Sequence, residues 1–269
     1  MNNFLVVGKP IAHSLSPMIH HMFAEQCGID FTFEKFLSDE ATFQDDVKQF
    51  LKNQGRGLNV TVPFKQLAFE LADEHTERAT LAGVCNTLMR LDDGRILGDN
   101  TDGIGLVSDL HRHLKSLIGK SVLILGAGGA VRGILGPLLD SKLKSCCIAT
   151  RSPQKAESLT QHFPSITIYD YASIREQNFD LIINATSAGL NNELPPLPTR
   201  CLSANTTIYD CTYGPKAKPF LDWCREHGAG NCVDGLGMLV EQAAESFMLW
   251  HRIRPNTGPV IEQLQRNPS

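Results

Sequence analysis

The apolar run Val122-Leu123-Ile124-Leu125, followed at once by Gly126-Ala127-Gly128-Gly129-Ala130, constrains this chain more than any other feature. A buried parallel strand that ends in glycines turns tightly and feeds a helix whose first free amides suit a pyrophosphate. The third small residue of the pattern G-x-G-x-x-G/A falls on Val131, so the match is to G-x-G-G-A. Where such a turn binds NAD, a carboxylate about 20 residues on takes the ribose hydroxyl, whereas an arginine there suits a 2′-phosphate. Cys146–Thr150 reads as the second strand, and Arg151-Ser152-Pro153-Gln154-Lys155 follows it with two cations and no acid. The spacing predicts NADP.

Composition bounds the remainder. With 269 residues, 42% of them hydrophobic and 20% charged, the chain has length and core enough for two α/β domains. A net charge of −4 without a basic run speaks against nucleic acid as a partner. No apolar stretch reaches the roughly 18 residues of a membrane span, and Phe4–Val7 enters a strand with no secretory leader ahead of it. The eight cysteines are scattered without a C-x-x-C, as free thiols of a cytoplasmic protein would be. His20-His21 and His111-x-His113 lack the i, i+4 spacing of a helical metal site, so no metal is expected.

About 120 residues precede the dinucleotide unit, and they alternate strand and helix. The pattern predicts strands at 4–7, 31–36 and 57–62, helices at 17–27, 42–53 and from Pro63, and a hairpin of 86–91 with 96–99. A helix from Gly103 to Leu117 leads into the second domain, where helices at 153–162 and 219–226 and strands at 166–169, 181–184, 207–210 and 232–233 follow. A helix over Met238–Trp250 closes the pattern, with Leu239, Ala243, Phe247 and Trp250 on its apolar face. Gln242 beside that stripe needs a partner, either a backbone carbonyl or, the reading favoured here, a ligand.

Lys65 follows a strand and Pro63, a residue that fits a first helical position. The positive end of a helix and partial burial both disfavour an extra cation there, which suits a group that gives up a proton. Asp102, in Gly98-Asp99-Asn100-Thr101-Asp102-Gly103, reads as a helix cap and, compatibly, since a cap fixes the carboxylate's direction, as the partner of Lys65 in passing a proton to a hydroxyl. Short polar residues gather at other strand ends: Ser14, Ser16, Asn59, Thr61 and Asn86. They suit a small polyhydroxylated ligand, although Ser16 ahead of Pro17 also reads as a cap. Alternation puts Asn59 and Thr61 on one face of their strand, towards a cleft or water, and Leu58, Val60 and Val62 on the other. The loop Asn184-Ala185-Thr186-Ser187-Ala188-Gly189 ends a neighbouring strand, so Thr186 is expected on the nicotinamide side, with Tyr209–Tyr213 and Asp234-Gly235 lining the same crevice.

In joint order these segments resemble the shikimate dehydrogenase family over nearly the whole chain. The motifs are Gly8-Lys9-Pro10-Ile11-Ala12-His13-Ser14-Leu15-Ser16-Pro17, Asn59-Val60-Thr61-Val62-Pro63-Phe64-Lys65, the 98–103 and 126–130 runs, 184–189, 209–213, and Gly237-Met238-Leu239 with Gln242. The resemblance implies reversible, NADPH-dependent reduction of 3-dehydroshikimate to shikimate on the route to aromatic amino acids. It implies Lys65 and Asp102 as the catalytic pair, Ser14 and Ser16 at the substrate carboxylate, and Thr61, Asn86, Tyr213 and Gln242 at its hydroxyls or ring. It also implies NADP contacts from Gly126, Ala127, Gly128, Gly129 and Ala130, from Thr150, Arg151, Ser152, Pro153, Gln154 and Lys155, and from Cys211 and Gly235, with Glu77 of Thr76-Glu77-Arg78-Ala79 a further candidate. Two positions depart from the family's habit: Cys85 in Gly83-Val84-Cys85-Asn86-Thr87, and Thr150 where asparagine is usual.

The expected architecture is therefore α/β in two domains with a cleft between them that closes on ligand. Residues 1–101 with a C-terminal helix 238–269 form a substrate domain, and 102–237 a Rossmann-type NADP domain. A monomer or homodimer acting on a small molecule, away from nucleic acid and membranes, is expected. Three rivals are weighed against this: a quinate/shikimate dehydrogenase tolerating NAD, a methylenetetrahydrofolate dehydrogenase, and a non-catalytic NADP-binding sensor. Arg151 and Lys155 oppose the first, shikimate oxidation would dismiss the second, and the presence of both Lys65 and Asp102 opposes the third.

Overall fold

The computed structural model describes residues 3–174, 178–191 and 193–266, without the side chains of Lys155, Leu190 and Asn191. It divides into two compact units, one running to Leu106 and resuming at Leu239, the other comprising Val107–Met238.

The first unit begins with β1 (Asn3–Gly8), α1 (Ser16–Cys27), β2 (Thr32–Leu37), α2 (Phe43–Lys52), β3 (Gly55–Val60) and α3 (Lys65–Leu71). It continues with β4 (Glu74–His75), α4 (Glu77–Ala82), β5 (Thr87–Arg90), β6 (Ile96–Asp99) and α5 (Asp102–His113), the helix in which the chain leaves this unit. Its sheet has the order β2-β1-β3-β5-β6-β4. β1 pairs in parallel with β2 and β3, while β5 runs antiparallel to both of its neighbours, β3 and β6.

Leu5, Val7, Leu58 and Val60 alternate onto one face, where Phe43, Val47, Phe64 and Ala68 of the α2–α3 segment cover them. The other face carries Phe4 and Phe33, packed by rings with His20 of α1 and with Trp250 and His251 near the chain's end. Because helices cover both faces, Asn59 is buried, and the expectation that its side of β3 looks onto a cleft or water is corrected. β3 also stops at Val60, two residues early, which leaves Val62 exposed beyond the strand end.

The second unit contains β7 (Ser121–Leu125), α6 (Gly129–Asp140), β8 (Ser145–Thr150), α7 (Pro153–His162), β9 (Ile166–Asp170), β10 (Leu181–Asn184), β11 (Thr207–Asp210), α8 (Lys218–Glu226) and β12 (Asn231–Val233). All of its strands pair in parallel, in the order β12-β11-β10-β7-β8-β9. Counted from β7, that is the doubly wound order 3-2-1-4-5-6, whose switch point lies between β7 and β10. Leu123, Leu125, Ile182, Ile208 and Phe220 belong to its core.

The chain then passes along α9 (Leu236–His251) back to the first unit and ends in α10 (Thr257–Arg266). The single terminal helix expected from 238 is thus two, broken where Arg252 takes a left-handed φ of 60° ahead of Pro255.

Candidate active site

Lys65 is the first residue of α3, two positions later than a helix starting at Pro63 would place it. The buried Phe64 before it stacks on Phe43, and the carbonyl of Lys65 accepts the amide of Cys85 at 2.9 Å. Its ammonium donates to Asp102 Oδ2 at 2.5 Å, with the lysine side chain 18% and the aspartate 8% exposed. The other carboxylate oxygen, Oδ1, accepts from Asn86 Nδ2 at 2.8 Å. Asp102 is the first residue of α5, and its own amide is received by Asn100 Oδ1 at 3.1 Å.

The turn that delivers Asp102 is held from below. Asp99, fully buried, takes both Arg78 (2.7 and 2.5 Å) and the Thr76 hydroxyl (2.6 Å), and its Oδ1 also receives the Asn100 amide. Cys85 sits under the same turn, where burial pushes its thiol up to about 12, so it stays a neutral packing group.

The remaining substrate candidates fall into two groups. Asn86, Thr101 and Gln242 converge on Asp102's side: Asn86 Nδ2 lies 2.9 Å from Thr101 Oγ1 and 3.3 Å from Gln242 Oε1. Gln242 also donates to the carbonyl of Leu239 at 2.7 Å, so the backbone-carbonyl partner weighed for it is present. Gly105 lets α5 meet α9 there, since a Cβ would stand 2.7 Å from both the Cβ and the backbone nitrogen of Gln242. Ser14 and Ser16 form the other group, their hydroxyls 3.2 Å apart at the start of α1. Leu15 holds the cap position and Ser16 is already helical, while Ser14 Oγ receives the Ser16 amide at 3.3 Å, which leaves its hydroxyl proton to donate. Thr61 ends beside Gly8, whose Cβ would stand 2.3 Å from the threonine methyl; its amide bonds to Val7. Asn59 is spent internally, with Oδ1 3.0 Å from His20 Nε2 and Nδ2 on Ser246 and Thr87.

In the second unit, Gly126 closes β7 at φ 103°, a conformation that favours glycine. A Cβ there would lie 3.2 Å from the Ala185 carbonyl across the switch point. Gly128 caps α6, and a Cβ on Gly128 or Gly129 would meet nothing within 4 Å. The first amides of a 12-residue helix thus face open space, with Ala127 and Ala130 completing the turn. This geometry fits a pyrophosphate.

Thr150 ends β8 with its Oγ1 accepting the amide of Ser152, which leaves the hydroxyl proton free to donate. Arg151 is exposed, and Ser152, Pro153 and Gln154 lead into α7; the side chain of Lys155 lies outside the described residues. Burial pushes the nearby Tyr171 phenol up, against the opposing pull of the Arg151 charge. These residues fit the coenzyme.

At the other side of the switch point Thr186 is fixed through Asn184, which receives the Thr186 hydroxyl at 2.7 Å and donates to Asp210 at 3.0 Å. Burial raises Asp210 to about 6. Cys211 and Gly235 meet closely: a Cβ on the glycine would stand 2.5 Å from the Cys211 carbonyl. Tyr213 is half-buried, and burial raises its phenol. Tyr209, expected to line the crevice, is instead fully buried and donates to Asp109 at 2.7 Å. Glu77 is exposed in the first turn of α4, a position suited to its charge. Among the described residues no group of acids, histidines and cysteines could hold a metal ion, and no helix is long and apolar enough to cross a membrane.

Thr87, Thr101 and Ser246 are neighbours of the candidate site to which the sequence assigned no role, and His20 entered only as a dismissed metal ligand. Only Thr101 and Thr87 stood inside a quoted motif.

Comparison with known proteins supplies the context for this geometry. Residues 6–88 match the shikimate dehydrogenase substrate binding domain, 109–191 the shikimate/quinate 5-dehydrogenase domain, and 235–265 the shikimate 5′-dehydrogenase C-terminal domain. The NADP(+) shikimate dehydrogenase of Colwellia psychrerythraea is 49% identical over 98% of this chain and 96% of its own length. An Ael1 enzyme from Pseudomonas putida superposes with a TM-score of 0.92 at 42% identity, covering 98% of each chain. The Thermus thermophilus shikimate 5-dehydrogenase, solved with NADP(H) and shikimate, gives 0.88 at 30% identity over 99% of each. Likeness of this extent, carried nearly end to end, makes the chain a member of the shikimate dehydrogenase family.

Proposed function

We propose that Lys65 and Asp102 carry the chemistry of an NADP-dependent shikimate dehydrogenase, the reversible reduction of 3-dehydroshikimate to shikimate. The observation that carries this reading is the 2.5 Å contact between Lys65 Nζ and a carboxylate whose other oxygen is already tied to Asn86. Bound NADPH supplies the hydride. Lys65 gives a proton to the carbonyl oxygen as that oxygen becomes an alkoxide, and in the oxidative direction it takes the hydroxyl proton back. Asp102 aims the ammonium and offsets its charge, so the lysine is held in place in both directions.

The Ser14 and Ser16 hydroxyls, side by side at the start of α1, take the substrate carboxylate, and Thr61, Asn86, Tyr213 and Gln242 take its hydroxyls and ring. Asn59 supports Asn86 from behind. Gly126–Ala130 hold the pyrophosphate, while Thr150–Lys155 hold the 2′-phosphate end, with Thr186, Cys211, Gly235 and Glu77 as further coenzyme contacts. A cytoplasmic setting suits a chain that keeps its eight cysteines as thiols, and a monomer or homodimer suffices for a site of this kind.

Steady-state assay of the purified protein with shikimate and quinate, each with NADP and NAD, tests the reading. Shikimate with NADP should give the highest kcat/KM of the four combinations. Failure to oxidise shikimate with either coenzyme would overturn the assignment, and equal use of quinate would widen it.

A further inference from the structure

Behind Asn86 runs a buried chain of neutral polar groups. His20 on α1, Thr87 on β5 and Ser246 on α9 are fully buried, and Asn59 on β3 is 5% exposed. Polar groups in such a layer are costly unless they satisfy one another, and here their directions can be worked out from the backbone. The Thr101 amide can only donate, and it meets Asn86 Oδ1 at 2.9 Å, so the nitrogen of that side-chain amide faces Asp102. The Asn86 backbone carbonyl can only accept, and it lies 3.4 Å from Asn59 Nδ2. Asn59 Oδ1 therefore faces His20, and the 3.0 Å contact requires a proton on His20 Nε2. Asn59 Nδ2 also donates to Thr87 Oγ1 at 3.1 Å, and the Thr87 hydroxyl in turn reaches Asn86 Oδ1 at 3.0 Å. Ser246 braces the middle, 2.9 Å from Asn59 and 2.8 Å from Thr87.

We propose that His20, Asn59 and Thr87 are positioning residues for the reaction, a one-way donor chain ending on Asn86 that keeps its amide nitrogen on Asp102 and so leaves the second carboxylate oxygen to Lys65. A reversed Asn86 amide would set an oxygen against the carboxylate and turn it away from the lysine. Every link is neutral, so Asp102 is aimed without the addition of a charge that would compete with the ammonium. The inference rests on Lys65 and Asp102 being the reacting pair, and it adds residues that touch neither substrate nor coenzyme.

Thr87→Val removes the hydroxyl link and Thr87→Ser keeps it. The valine variant should lose about tenfold in kcat, the scale of one buried hydrogen bond, with KM for NADP unchanged, and the serine variant should recover to within about twofold. A kcat for Thr87→Val within twofold of the parent overturns the chain, as does equal loss in both variants. Nitrogen-15 NMR of histidine-labelled parent protein reads the geometry without relying on any variant folding: His20 should carry its proton on Nε2 with Nδ1 bare, and the opposite tautomer overturns the direction derived above. Lys65→Ala separates the two readings. If it abolishes turnover while Thr87→Val does not, only the chain falls; if it leaves turnover intact, the reacting pair itself is wrong.

Discussion

The ammonium of Lys65 is placed by one short contact, so truncation should remove a proton donor and little else. Lys65→Ala is expected to lower kcat by about 10²-fold or more while KM for shikimate changes little, the pattern of lost general acid–base chemistry; steady-state kinetics in both directions would measure it. His20 makes a second prediction, about pH. Burial lowers it from 6.5 to about 3, against the opposing hydrogen bond it donates to Asn59. The folded state thus binds its proton less readily than the unfolded chain. The stabilisation is present above the unfolded value and is lost as pH falls from about 6.5 towards 3, by up to about 1.4 kcal/mol per pH unit. Urea titrations at pH 7 and pH 5 should show the loss. His20→Gln, which keeps an amide donor, should flatten it, leaving the smaller part due to His251, also lowered by burial. Lys65 and Asp102 do meet, as their motifs suggested. What surrounds Asn59 was not legible, because a two-residue period says which side chains share a face but nothing of what covers that face.

Elements read from the sequence came out well where periodicity or a motif marked them. The strand 181–184, the strand 207–210 and the helix 153–162 stand where the pattern put them. α4 has only six residues, too few for a helical repeat to declare itself, and α10 was absorbed into a single terminal helix although Pro255 was in view as a breaker. The closeness of α5 and α9 was also hidden, since glycine in a helix reads as weakness until a neighbour is known. Gly105→Ala should therefore destabilise the protein, against helix propensity. Its Cβ would overlap Gln242 backbone at 2.7 Å, and parting the two helices should cost about 1–3 kcal/mol. A lower urea midpoint at unchanged m-value would record it, and a midpoint raised by the gain in propensity would refute the close contact.

On the scale of the whole molecule, the glycine turn after β7 already implied a parallel sheet with a switch point, and the order 3-2-1-4-5-6 follows that implication. The split between units was less legible: it falls after Leu106, inside α5, because helical periodicity does not say which core each turn of a helix joins. Both candidate residues of the reacting pair lie in the unit that runs to Leu106, and the glycine turn after β7 lies in the other. The effects of substitution should divide along the same line. On the proposed coenzyme contacts, Arg151→Ala, just past the end of β8, should delete a charge-assisted hydrogen bond to the 2′-phosphate, about 1.5–3 kcal/mol or roughly 10- to 100-fold in NADP affinity. It should leave the affinity for NAD, which lacks that phosphate, nearly unchanged. Lys65→Ala should do the converse, sparing the affinity for both coenzymes while turnover collapses. Fluorescence titration of NADPH and NADH against both variants measures each arm. An Arg151→Ala protein that loses the two coenzymes equally would mean that the arginine supports the fold of the turn and does not read the phosphate.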